Sequence, residues 1–217
     1  MSNAEQGRAG SAAKCVACTV AAAVLFLAGC TTPGSGTLAP SYFLLEVPAT
    51  LAPLPGARAF DVALGPVRIA EYLDQPHVVS RASGGEVTRY DRARWAMPLG
   101  ANLSDVLRGA LERLLPGTRT VAYPAAQPAP VSYRIALEVL QLDGPPAGDV
   151  AGTATLVASW RVLDADGATV AWPEARTTLR VPVRGSDAAA LVAAETALAG
   201  ELATRIAQAL LALPPAP

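Results

Sequence analysis

The sequence predicts an α+β fold: a single domain in which two main helices pack on a largely antiparallel or mixed sheet. Three observations carry this expectation. Apolar residues alternate with period two in several segments, they recur at helical spacing in only two, and strands and helices do not alternate one for one as a parallel α/β sheet would require. Hydrophobic residues make up 52% of the chain, enough to furnish a sizeable core for one domain of this length.

The elements follow in order. Tyr42–Val47 is a short apolar run stopped by Pro48, and Phe60, Val62 and Leu64 alternate with Asp61 and Ala63 ahead of Gly65-Pro66; both predict strands. His77–Arg81 and Glu86–Tyr90 flank Ser83-Gly84-Gly85, a glycine pair suited to the positive φ of a tight hairpin turn. Leu103, Val106, Leu107, Ala110, Leu111, Leu114 and Leu115 form the stripe of a first helix that Pro116-Gly117 stops, and Pro124–Pro130 is a proline-rich loop. Val131–Val139 and Thr153–Leu163 alternate strongly, and a third strand over Thr169–Val183 completes an antiparallel meander, with irregularities expected at Pro173 and Pro182. Ser186-Asp187 offers an N-cap for a long second helix whose stripe runs through Leu191, Leu198, Leu202, Ile206, Ala209 and Leu213, before a proline-rich tail over 214–217.

The N-terminus reads differently. Arg8 and Lys14 precede an uncharged run, Val16–Gly29, of about 14 residues, the length of a signal-peptide core and short of the roughly 20 needed to span a bilayer. It closes on Leu27-Ala28-Gly29-Cys30, a bacterial lipoprotein box. The expectation is removal of residues 1–29 and a mature chain beginning at Cys30, acylated by an N-acyl and an S-diacylglycerol group. Thr31 stands in the following position, where an aspartate would resemble an inner-membrane retention signal, and resemblance to other bacterial lipoproteins then implies the outer membrane. Residues 30–41, rich in Thr, Pro, Gly and Ser, form a tether with a root-mean-square span of roughly 18 Å and a maximum near ~37 Å. The folded domain is expected over 42–213.

Processing also settles the cysteines. Cys15 and Cys18 resemble a redox pair but lie in the leader, so the mature domain is left with neither disulfide nor free thiol. Losing Arg8, Lys14 and Glu5 turns the 17 basic and 18 acidic residues of the whole chain into 15 and 17, a nearly neutral domain. The single lysine is in the leader and the arginines are scattered along the sequence, which argues against a nucleic-acid partner.

Candidate reacting groups are few. His77 is the one histidine, so a multi-histidine metal site is excluded, and no serine sits in a GxSxG elbow that would make His77 part of a hydrolytic triad. Asp61, Asp74, Asp143 and Asp149 are dispersed, and no GxxxxGK[ST] or GxGxxG phosphate loop occurs. Two segments mix aromatic, proline and charged residues. Glu71–Arg81 leads into a strand and Arg92–Leu99 leads into the first helix. Asp74 can cap a turn before Pro76, and Trp95 with Leu99 can seal the helix entrance; Trp, Tyr and Arg in such segments also suit a contact surface.

These segments carry a resemblance. Gly65-Pro66-Val67, then Tyr72-Leu73-Asp74-Gln75-Pro76-His77-Val78-Val79-Ser80-Arg81, then Arg94-Trp95-Ala96-Met97-Pro98-Leu99, resemble in order and spacing the PqiC-like ABC-type transport auxiliary lipoprotein family. Tyr72, Leu73, Asp74, Pro76, Arg81, Arg94, Trp95, Pro98 and Leu99 match the family framework, while Gln75, His77 and Met97 depart from it. The resemblance implies a non-enzymatic outer-membrane lipoprotein on the periplasmic face. Its implied partners are a periplasm-spanning MCE-domain protein and an inner-membrane transporter, in a system moving lipids between membranes and supporting envelope integrity. No cofactor is implied beyond the covalent lipid on Cys30. A domain that itself binds a lipid or small apolar ligand is the alternative, an envelope hydrolase using His77 a more distant one, and a homo-oligomer remains open.

Overall fold

The computed structural model describes residues 39–82, 84–124, 130–149 and 151–214. The leader, Cys30, the tether up to residue 38, Ser83 of the hairpin turn and residues 215–217 of the tail lie outside the described residues. The elements are β1 (Ser41–Phe43), β2 (Asp61–Ile69), a short 3-10 turn (Glu71–Leu73), β3 (His77–Arg81), β4 (Val87–Trp95), α1 (Leu99–Leu114), β5 (Arg119–Ala122), β6 (Tyr133–Asp143), β7 (Ala151–Asp164), β8 (Val170–Arg184) and α2 (Ala188–Ala212). The fold is α+β, as the patterning predicts.

The strands divide between two sheets, ordered β5-β2-β6-β7-β8 and β1-β4-β3. Both are mixed: β2 runs parallel to β5 and β6, and β1 parallel to β4, while β3–β4, β6–β7 and β7–β8 are antiparallel. The last three strands thus form the expected meander. The register of β8 shifts near Pro173, but Pro182 sits in register opposite Thr153. A proline is tolerated there because β8 is an edge strand whose outer N–H groups have no ladder partner.

Both helices cover one face of the large sheet and share a core with the small one. The stripe of α1 is buried, from Leu99 and Leu103 through Leu107 and Leu111 to Leu114, so the helix begins one turn before its predicted stripe. In α2, the Asp187 carboxylate accepts from the Ala190 N–H at 2.8 Å, the expected N-cap.

Two elements depart from expectation. β5 lies in a stretch that carries no strand signal, and the run read as a strand from Tyr42 to Val47 pairs only over Ser41–Phe43. Beyond Phe43 the chain becomes a strap across the two helices, where side chains of α1 bond to its backbone. The Leu45 N–H donates to Asn102 Oδ1 at 2.7 Å, and Asn102 Nδ2 donates to the Leu45 carbonyl at 3.1 Å. Arg113 Nη1 donates to the Pro48 carbonyl at 2.9 Å, and Pro48 fits against α2 at Gly200, where a Cβ would stand 2.7 Å from the Pro48 ring. Asn102 therefore substitutes for a neighbouring strand. Asn102→Ala is expected to cost about 1–2 kcal/mol by stranding the buried Leu45 amide and carbonyl, read by denaturant titration, and to speed amide exchange selectively at Leu45.

Candidate functional site

The first motif segment is folded by a tight turn against β6. The Ala70 N–H donates to the Val139 carbonyl at 2.8 Å, and the 3-10 turn that follows drives Leu73 into the core while leaving Asp74 exposed. Its close is the backbone bond from the Asp74 N–H to the Glu71 carbonyl at 3.0 Å; the cap is made by the main chain, with the Asp74 side chain outside it. Gln75 Nε2 donates to the Tyr72 carbonyl, and Gln75 Oε1 accepts from Arg89 Nε, each at 2.7 Å.

The turn aims Tyr72 at a carboxylate distant in sequence. The Tyr72 hydroxyl donates to Asp143 Oδ2 at 2.7 Å, and Arg81 Nε reaches the same oxygen at 3.1 Å. Gln141 Nε2 donates to Asp143 Oδ1 at 2.8 Å, and the Arg81 guanidinium carbon stands 5.7 Å from the centre of the Tyr72 ring. Asp143 is only 3% exposed, so these donors replace the water its charge has lost. Burial, and then the bond to Asp143, push the Tyr72 phenol well above its usual range, so it remains a donor.

Arg81 also closes the junction between the sheets, its N–H donating to the Gly144 carbonyl at 3.0 Å just past β6. A polar cleft of about 500 Å³ opens there, lined by Arg81, Gln141, Asp143, Asp149 and Thr155 among others. Tyr72→Phe is expected to cost about 1 kcal/mol, but almost nothing in an Asp143→Ala background. A double-mutant cycle by urea denaturation checks that coupling.

The second motif segment joins the first through the main chain. The Trp95 N–H donates to the Pro76 carbonyl at 2.8 Å, Arg94 lies in register with both His77 and Tyr42, and Pro98 and Leu99 start α1. Trp95 and Leu99 are buried together in the core, the arrangement of a sealed helix entrance. The structure thus brings Tyr72 and Arg81 to one carboxylate and ties Pro76 to Trp95. It leaves Asp74, Pro76 and Pro98 exposed and gives Arg94 no ion pair among the described residues.

The residue that sequence reasoning missed is Glu195. It lies on the core face of α2, is 1% exposed, and its Oε2 has no partner among the described residues. Burial, and secondarily the Asp143 charge, hold its carboxyl well above the usual carboxylate range. A signal was present: Glu195 follows Leu191 by four and precedes Leu198 by three, squarely on the apolar stripe.

His77 offers a contrast. Its imidazole is held below its usual pKa by partial desolvation and then by Arg94 and Arg89, with Asp91 opposing them. Ser80 is bonded to Thr88 rather than to His77. Among the described residues, no three His, Cys, Asp or Glu side chains gather closely enough to hold a metal ion.

A motif whose aromatic, basic and apolar members tie two sheets and a helix entrance together defines an α+β domain built around a shared structural junction. The chain belongs to a specific family of such proteins, the ABC-type transport auxiliary lipoprotein component family, whose pattern matches residues 42–207. The fold recurs in solved structures. Protein XCC0632 from Xanthomonas campestris is 22% identical, with 79% of this chain and 95% of that one covered and a TM-score of 0.65. A second, uncharacterized protein is 18% identical, with 79% and 99% covered and a TM-score of 0.62. No curated protein matches the chain. Membership in a lipoprotein family points to a membrane-anchored place in the envelope, and the auxiliary role points away from catalysis. No helix of the described residues is long and apolar enough to cross a membrane.

Proposed function

We propose that this chain is an outer-membrane lipoprotein, anchored through acylated Cys30 and facing the periplasm. In this reading it serves as a non-enzymatic accessory subunit that docks an MCE-type intermembrane lipid-transport assembly. The observation that carries the reading is the family match over residues 42–207, coupled to a lipoprotein box one tether length upstream. The fold is compatible with it: the strap gives the tether a firm attachment to the helices. The apolar stripes of α1 and α2 are buried in the core, which leaves them no role as the wall of a lipid cavity.

Affinity purification after cross-linking in intact cells should recover an MCE-domain protein. Recovery of unrelated partners alone, where such a protein is expressed, defeats the proposal. Cys30→Ala should move the chain from the membrane to the soluble periplasmic fraction and abolish its support of envelope integrity. His77→Gln should leave that support unchanged, whereas a hydrolase dependent on His77 would lose it.

A further inference from the structure

The face of the large sheet turned away from the helices is an arginine surface. Strand register places Arg68 of β2, Arg134 of β6, Arg161 of β7, and Arg176, Arg180 and Arg184 of β8 on that one face. Their parity is unambiguous. Their neighbours in the chain point the other way into the core, with Ile135, Val162 and Leu179 buried. None of the six forms an ion pair with a described residue, since the three ion pairs found involve Arg81, Arg108 and Arg119.

Few acids share the surface. Glu138 stands opposite Ser159, and Glu174 accepts a hydrogen bond from the Ser159 hydroxyl. Six positive charges thus meet three strand carboxylates, the third being Asp143, which register sets opposite Thr155 and which Arg81 already pairs, in a domain that is nearly neutral overall. Adjacent strands lie about 4.8 Å apart, so the charges are close enough for their fields to add at physiological salt. A cleft of about 530 Å³ is lined by Arg68, Arg134 and Arg161 but equally by Glu138, Asp166 and Glu174, with the Arg134 guanidinium carbon 4.9 Å above the centre of the Tyr123 ring. Arg134 Nε is buried there without an acceptor among the described residues.

The position of the strap indicates which way this face looks. The chain that leads back to Cys30 enters at β1 and lies across α1 and α2, held by Asn102, Arg113 and the surface at Gly200. Those helices cover the opposite face of the large sheet. The arginine surface is therefore on the side away from the attachment of the tether.

We infer that this arginine face, centred on Arg161, Arg176 and Arg180, is a docking surface for an acidic protein surface on the transport partner. The inference rests on the accessory-subunit reading above and adds the surface and the chemistry of its partner. Charge complementarity of this kind raises the association rate and fixes orientation, and it weakens with salt.

The test uses the full chain in intact cells, with the photo-crosslinking residue p-benzoyl-phenylalanine at Thr178, exposed on the arginine face, or at Glu201, exposed on α2. The Thr178 probe should give a discrete adduct with an MCE-domain protein, through a peptide of net negative charge. The adduct yield should fall about tenfold with Arg161→Gln, Arg176→Gln and Arg180→Gln combined, and stay unchanged with Arg92→Gln and Arg205→Gln. An adduct with lipid, with a second copy of this chain, or with a peptide that is not acidic overturns the inference. Capture of the MCE-domain protein from Glu201 but not Thr178 overturns it while leaving the accessory-subunit reading intact. Failure at both positions, with failure of the purification above, removes both.

Discussion

Gly65→Ala is expected to lower stability by about 3–5 kcal/mol and the melting temperature by about 10 °C, the largest loss from a single added methyl group in this domain. Two independent physical effects coincide at this residue. Gly65 has φ +134°, a conformation that side-chain-bearing residues adopt only at a cost. An added Cβ would also run into the backbone carbonyl of Tyr123, an atom that cannot rotate away. The close approach exists because β2 shifts register between Leu64 and Val67 while the Tyr123 N–H donates to the Leu64 carbonyl at 2.8 Å. Thermal unfolding measures the effect. A variant within 1 °C of the parent, a margin well inside the expected roughly 10 °C shift, would show that the segment around Tyr123 can move aside.

Gly65 also illustrates what a sequence can disclose. Gly-Pro after an alternating run reads naturally as the end of a strand, and here β2 continues through it because the bulge lets Val67–Ile69 resume pairing with β6. The meander β6–β7–β8 and both helices were legible because their burial is periodic: one face in two along the strands, one stripe along each helix. β5 was not. It is four residues long with one buried side chain, and its partner, β2, is parallel and far away in sequence. The Tyr42–Val47 run misleads for a related reason. Leu45 is buried as a strand residue would be, but by the helices, with Asn102 serving its backbone.

The candidate site was half legible. Tyr72 and Arg81 stood out as a motif, yet their common acceptor is separated from Tyr72 by 71 positions, beyond the reach of any local pattern. Asp143 read alone looks like one more dispersed acid. The surface arginines were hidden in the opposite way: scattered along the sequence, they are gathered by strand register onto one face.

Wild-type stability is expected to decline as pH rises above the ordinary carboxylate range, and Glu195→Gln should abolish that decline. The cause is the buried carboxyl of Glu195, raised above its reference value of 4.5 by burial and then by Asp143. Between that value and its folded-state pKa, the unfolded chain has released the proton and the folded chain still holds it. The folded state therefore binds more protons, and stability falls with pH by up to about 1.4 kcal/mol per unit. The contribution is fully present below the unfolded value and is lost as pH rises through the folded one. Glutamine keeps the shape, cannot ionise, and leaves Asp143 with its bonds to Tyr72, Arg81 and Gln141. Tyr90, whose own pKa is raised by burial and then by Glu195, also feels the substitution, but it titrates far above this window. His77 works in the other direction: its lowered pKa makes stability rise with pH through its own range. It is present in both proteins, so the difference between their urea-unfolding free energies at pH 5, 6, 7 and 8 isolates Glu195. Parallel curves for the two proteins would mean that Glu195 finds a compensating partner when it ionises; curves that diverge with pH, the variant above, would establish that an uncharged acid is built into the interface between α2 and the sheet.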